Sequence, residues 1–204
     1  MHASAPDDLS MVIVIPARNE SDLLLCLRSL LEADQANIVY EVLVVFNHPE
    51  DEEEEIKAEN IQLFDQCDRW LKDHTIDHIH LIKAFDLPRK HAGVGLARKI
   101  GMDEALRRFK GNVNGVIVAL DADCTVKSNY LISINSFFTL NPSINGASIH
   151  FEHPLEHLGE NEQKGIVQYE LHLRYYNQLL RYAGHPFAYH TVGSSMAVRA
   201  SAYI

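Results

Sequence analysis

Short runs of β-branched apolar residues recur along this chain, each stopped by a polar cluster and followed by helical periodicity. Val12-Ile13-Val14-Ile15 is the first and is closed by Pro16; Glu41–Phe46 (EVLVVF) is the second and ends in Asn47-His48-Pro49. Gly115–Leu120 (GVIVAL) is the clearest, and it runs straight into Asp121-Ala122-Asp123. Continuous apolar runs of this length, without polar alternation, describe strands covered on both faces, as in parallel sheets. Between them, Ser21–Ala33 places Leu23, Leu24, Leu27, Leu30 and Leu31 on one helical stripe. The acidic run Asp51–Glu55 suits the start of a helix reaching about Asp73, because negative charge favours a helix N-terminus. A weaker strand at His78–Ile82, a loop from Ala84 to Lys90 containing Pro88, and a helix over Gly93–Phe109 follow. Beyond Asp123 the pattern predicts a helix at Ser128–Thr139, a strand at Gly146–Phe151, a long amphipathic helix at Glu162–Tyr182 and a strand at Met196–Arg199. Strands alternating with helices in this way predict a single α/β domain: a mainly parallel open sheet flanked by helices.

The polar residues at the strand ends are the informative ones. Arg18-Asn19-Glu20, Asn47, the Lys90–Arg98 segment and Asp121/Asp123 each follow a predicted strand. In an open parallel sheet that edge is where ligands bind, so four such loops describe one crevice. Two aspartates at i and i+2, leaving a strand in extended geometry, point to the same side and can share a hard cation. Manganese or magnesium suits oxygen ligands completed by phosphates and water. The formal net charge of −10 excludes a nucleic-acid backbone as partner, since that needs a basic stripe. A phosphorylated small molecule, neutralised by a metal and a few local bases, remains compatible.

Other features point elsewhere and are weaker. Asp121-Ala122-Asp123-Cys124-Thr125 also fits the DxDxT loop of haloacid-dehalogenase-type phosphatases, but no aspartate follows Asp123 to complete that metal site. Cys26, Cys67 and Cys124 are an odd number at wide spacing and read as reduced, packed thiols. Twelve histidines include the loose groups His74/His78/His80 and His150/His153/His157; Pro154 breaks the helix that a His153/His157 zinc pair would need, so these read as scattered hydrogen-bonding residues. Tyr169, Leu173, Tyr176 and Leu180 form an aromatic-aliphatic stripe that reads as core. The N-terminus has no basic and apolar leader pattern and no segment has the apolar length of a membrane span, which places the chain in the cytosol or at the cytosolic face of a membrane.

Four segments, in order, resemble family 2 glycosyltransferases. Ile13-Val14-Ile15-Pro16-Ala17-Arg18-Asn19-Glu20 resembles their opening strand and P-x-x-N-E loop. Gly93-Val94-Gly95-Leu96-Ala97-Arg98-Lys99-Ile100-Gly101 is similar to their G-x-G-x-A-R-N-x-G stretch, and Val118–Asp123 to their DxD strand. Val192-Gly193-Ser194-Ser195-Met196-Ala197-Val198-Arg199 is similar to the G-x-x-x-x-x-R strand. The resemblance implies a GT-A fold that binds a UDP- or GDP-sugar with a divalent metal on Asp121 and Asp123. It implies that Pro16, Arg18 and Glu20 border the base and ribose, that Arg98 approaches the diphosphate, and that Gly93 and Gly95 permit close backbone approach. Asn47 stands where relatives usually carry an aspartate that reads the base, which leaves the nucleotide open. His190 lies near the acceptor side of the site. The acceptor, saccharide or lipid-linked, is not specified. The general base of an inverting transfer is expected beyond Ile204, which would make this an incomplete domain. A non-catalytic nucleotide-sugar-binding or protein-binding module is the alternative reading.

Overall fold

The computed structural model describes residues 4–90, 92–156, 158–189 and 193–204. Six strands form one sheet in the order β3-β2-β1-β4-β6-β5. β1 (Met11–Ala17) is buried at every position and pairs in parallel with β2 (Tyr40–Pro49) on one side and β4 (Val116–Ala119) on the other. β3 (Ile79–Leu87) extends β2 in parallel at the edge. β6 (Met196–Arg199) runs antiparallel to β4, and β5 (Gly146–Ser148) antiparallel to β6. The mainly parallel open sheet expected from the apolar runs is what forms.

The pleat divides the core. Ile13, Ile15, Val42 and Val44 face α1 (Leu23–Glu32), α2 (Glu54–Asp73) and α4 (Tyr130–Leu140), from which Leu23, Cys26, Leu27, Leu30, Cys67, Leu71, Leu131 and Phe138 join one cluster. Val12, Val14 and Leu43 face the other way, onto Met102 and Ala105 of α3 (Val94–Arg108). Alternating side chains on a strand covered by helices on both faces give this three-layer arrangement. On α3 the sheet-facing residues are Ala97, Gly101 and Ala105, spaced by one turn. A Cβ at Gly101 would stand 2.3 Å from Val14 Cγ1, so the missing side chain sets how closely α3 lies on β1. A buried ion pair fixes the opposite end of that helix: Arg108 forks onto both carboxylate oxygens of Glu41 at the start of β2, and His80 Nε2 lies 3.3 Å from Glu41 Oε1.

Several boundaries differ from expectation. β3 takes in Ala84–Leu87, which the sequence assigns to a loop, because β2 runs on to Pro49 and offers a ladder partner up to Leu87; Pro88, lacking an N–H, then ends the strand. β5 stops at Ser148 instead of Phe151. The four-residue helix α6 (Ala200–Tyr203) is too short to carry a periodic signal.

The largest correction concerns α5 (Glu160–Tyr182), which has no buried residue. Tyr169 and Tyr176, expected in the core, are 53% and 56% exposed. Leu173 and Leu180 of the same stripe are only half-buried. Amphipathic spacing shows that a helix has an apolar side, but it does not place the surface that covers it. No helix among the described residues is long and apolar enough to cross a membrane.

Candidate functional site

The chain leaves β1 to build β2 and β3 on one side, then crosses to place β4 on the other. The strand order therefore reverses between β1 and β4, and ligands of open α/β sheets bind outside the carboxyl ends of the strands at that point. The segments after β1 and β4 are the ones that carry Arg18-Asn19-Glu20 and Asp121-Ala122-Asp123.

Leu120 N–H donates to Val14 O at 3.1 Å, which carries the β1–β4 ladder up to Asp121. Ala122 between the two aspartates is buried, while Asp121 is half-buried and Asp123 exposed. Asp121 Oδ1 accepts from Arg98 Nη2 at 2.8 Å, and the Arg98 side chain is 14% exposed. Asp123 Oδ1 accepts from the Cys124 thiol at 3.5 Å, its one hydrogen bond among the described residues. Glu20 joins the group across the switch point: burial first, then the charges of Asp123, Asp121 and Asp22, push its carboxyl above the ordinary glutamate value. Four carboxylates thus influence one another here, with one guanidinium in direct contact.

The loop after β1 is held by residues that sequence reasoning missed. Asn19 adopts φ 56°, a left-handed conformation that asparagine tolerates better than most residues. Its backbone N–H donates to Asn60 Oδ1 at 3.0 Å, and its side chain donates to Glu59 Oε2 at 2.6 Å. Asn60, fully buried on α2, also donates to the backbone carbonyl of Asn47 at 3.2 Å. One asparagine therefore ties the β1 loop to the end of β2. A polar residue inside an acidic helix gives no signal of burial, so only its spacing against the apolar side of α2 hinted at it.

The remaining expected residues divide. Pro16 lies inside β1 in register with Val45, and Arg18 pairs with Glu52 in the turn before α2. Asn47 lies within β2, not past its end; it is 2% exposed, and its amide donates to Ala92 O at 3.0 Å, holding the segment before α3. Gly93 is the N-cap of α3 and Gly95 lies in its first turn; a Cβ at either would meet nothing within 4 Å. Neither has a positive φ, so backbone conformation does not require glycine there. Arg199 is structural: its guanidinium donates to Phe138 O at 2.7 Å and Ile144 O at 2.9 Å, neutralising the C-terminal end of α4. His190, His157 and Val192 lie outside the described residues.

Neither the thiols nor the histidines compete for the role of centre. All three cysteines are free, and burial pushes Cys26 and Cys67 up to about 12. His78 bonds Tyr40 Oη at 3.2 Å, His153 bonds Glu170 at 2.6 Å, and His150 bonds Glu152 at 3.0 Å. Among the described residues no three His, Cys, Asp or Glu side chains are placed to hold a metal by themselves. A cation held by one or two carboxylates, with phosphate and water completing the shell, is the habit of magnesium and needs no closed protein cage. Asp123, exposed and without a charged partner among the described residues, and the second oxygen of Asp121 are the groups that would fit such a cation. A concavity lined by Ala58, Ile61, Asp65 and Arg69 lies on the outer side of α2, away from these residues.

Comparisons with known proteins bear on the fold and the family. Among solved structures, the mannosyltransferase PcManGT from Pyrobaculum calidifontis, in complex with GDP-Man and Mn2+, matches with a TM-score of 0.53 at 17% identity, over 97% of this chain and 47% of that one. TarS 1-349 from S. aureus, in complex with UDP-GlcNAc, matches with a TM-score of 0.49 at 15% identity, over 74% of this chain and 36% of that one. The chain therefore spans less than half the length of either. No match to a curated protein was found. At such identities the likeness to PcManGT speaks for a shared GT-A fold. The family model described as glycosyl transferase family 2 matches residues 12–203, so the chain belongs to glycosyl transferase family 2.

Proposed function

We propose that this chain carries the donor-binding half of a glycosyltransferase site that takes a nucleotide-diphospho-sugar, UDP- or GDP-linked, with a divalent cation. The observation that carries the reading is the exit of Asp121 and Asp123 after β4 at the switch point, within electrostatic reach of Glu20 after β1. A diphosphate alone would be repelled by this edge, where carboxylates outnumber the one guanidinium in contact. A bound cation would neutralise the diphosphate and stabilise it as a leaving group. Family membership supports transfer as the reaction, and the fold is one in which PcManGT holds GDP-Man and Mn2+.

Each of the chain's own residues then has a task. Asp123, and Asp121 beside it, would hold the cation. Arg98 would approach the phosphates, and the unobstructed space over Gly93 and Gly95 would let a ligand meet the N-terminal N–H groups of α3. Arg18 and Glu20 would border the nucleoside, positioned by the Asn19–Asn60 contact. No group in this set is assigned as the base that activates the acceptor; sugar and acceptor stay open.

Calorimetric titration with UDP, GDP and CDP, each with and without manganese, tests the reading. UDP or GDP should bind at least about tenfold tighter with manganese, a coupling within the usual range between linked ligands. Metal-independent binding, or none, would overturn it. Tight metal-dependent binding without donor hydrolysis or transfer would make this a nucleotide-sugar-binding module.

A further inference from the structure

Arg98 is held in a way that one carboxylate does not explain. Its Nη2 donates to Asp121 Oδ1, yet Nε is shut from solvent and has no hydrogen-bond partner. Nε and Nη2 form one edge of the guanidinium, the edge that binds a carboxylate or phosphate through two parallel bonds. Asp121 uses half of that edge. On the far side the chain passes close: a Cβ on Gly193 would stand 2.6 Å from Arg98 Nη1. The guanidinium is thus lodged between Asp121 and the Gly193 backbone with one buried donor unmet, which a well-satisfied structural arginine does not show.

We infer that Arg98 is a positioning residue that competes with the cation for Asp121 until a diphosphate arrives, and then exchanges its carboxylate partner for a phosphate oxygen. This rests on the nucleotide-sugar reading above. A positive charge 2.8 Å from Asp121 Oδ1 opposes any cation on the same carboxylate. A diphosphate reverses the sign of the coupling, since it offers the guanidinium an acceptor that can take Nε and Nη2 together and offers the cation further oxygens. Metal and nucleotide would then each raise the other's affinity by the same factor, and Arg98 would set part of that factor. Gly193 leaves room for the resting position of the guanidinium.

The test measures free Mn2+ by electron paramagnetic resonance, on wild type, Arg98→Met and Gly193→Ala, with and without UDP and GDP. Without nucleotide, Arg98→Met should bind Mn2+ about tenfold tighter than wild type, and the tightening by nucleotide should shrink correspondingly. Gly193→Ala keeps the arginine but displaces the guanidinium, whose far end is flexible, and should move Mn2+ affinity the same way by a smaller factor. It covers the case in which Arg98→Met fails to fold. Unchanged or weaker nucleotide-free Mn2+ binding in the folded variants overturns the inference alone, provided wild type still binds Mn2+ with nucleotide. Absence of Mn2+ binding in wild type even with nucleotide overturns both this and the functional reading.

Discussion

Asp123→Ala should abolish the metal-dependent part of nucleoside-diphosphate affinity, a loss on the order of 100-fold, or about 2.7 kcal/mol. Asp123 is exposed, and among the described residues its carboxylate bonds only a neighbouring thiol, whereas Asp121 already shares an oxygen with Arg98. A cation at this edge would therefore depend most on Asp123. Because the side chain is exposed, its removal should leave stability within about 0.5 kcal/mol, as is usual for surface positions. Titration of wild type and Asp123→Ala, with and without manganese, separates the effects. Unchanged manganese-dependent binding in the variant removes Asp123 from the site.

The second large effect concerns stability. Glu41 is 3% exposed and Arg108 2%, and His80 completes the group at 7%. Burial works to raise the Glu41 carboxyl, but the Arg108 and His80 contacts prevail and hold it below the ordinary glutamate value. Arg108→Ala would leave that carboxylate buried without its main partner, at a cost of about 3–5 kcal/mol. For a chain of this size that corresponds to a melting temperature lower by roughly 6–20 °C. Replacing Glu41 and Arg108 together by methionine should recover most of the loss, since no unpaired charge remains. The sign of the pH dependence follows from the depressed folded value. The contribution is present above the unfolded glutamate pKa, about 4.3, and is lost as pH falls through the folded one. Wild type should therefore lose stability on acidification below about pH 4, and Glu41→Gln should lose less. Thermal unfolding at pH 7 and below pH 4 checks both. An Arg108→Ala protein that melts within 2 °C of wild type, about 1 kcal/mol or less, contradicts this account of the core.

How far the sequence foretells this molecule depends on the kind of signal. β1, β2, β4 and α1 are legible because burial on both faces of a parallel strand, or on one stripe of a helix, leaves an unmistakable apolar pattern. The Asp121/Asp123 pair is legible because it directly follows the clearest such strand. α3 is legible from its helical composition and glycine-containing entry, but its close approach to the sheet through Gly101 is not, since a helix lying close on a sheet needs little apolar bulk. Features set by distant pairing are not legible. β3 runs on through Ala84–Leu87 because β2 supplies a ladder, and nothing in the Ala84–Lys90 segment announces that. Asn60 and Glu41 look like surface polar residues until Asn19 and Arg108, far away in the chain, are placed beside them. The tyrosines of α5 repeat at core spacing, yet the periodicity carries no information about what covers them. Asn47, expected to be free for a nucleobase, has its amide engaged with Ala92 for a similar reason: its partner is remote.

The proposed site would hold a diphosphate at the β1–β4 edge through a cation on Asp123. Anomalous diffraction from crystals grown with manganese and UDP or GDP tests it most directly. The account predicts one manganese peak bonded to the Asp123 carboxylate and to diphosphate oxygens, beside the N-terminus of α3. A nucleotide bound elsewhere, or a manganese ion at this edge that touches neither Asp121 nor Asp123, would contradict it.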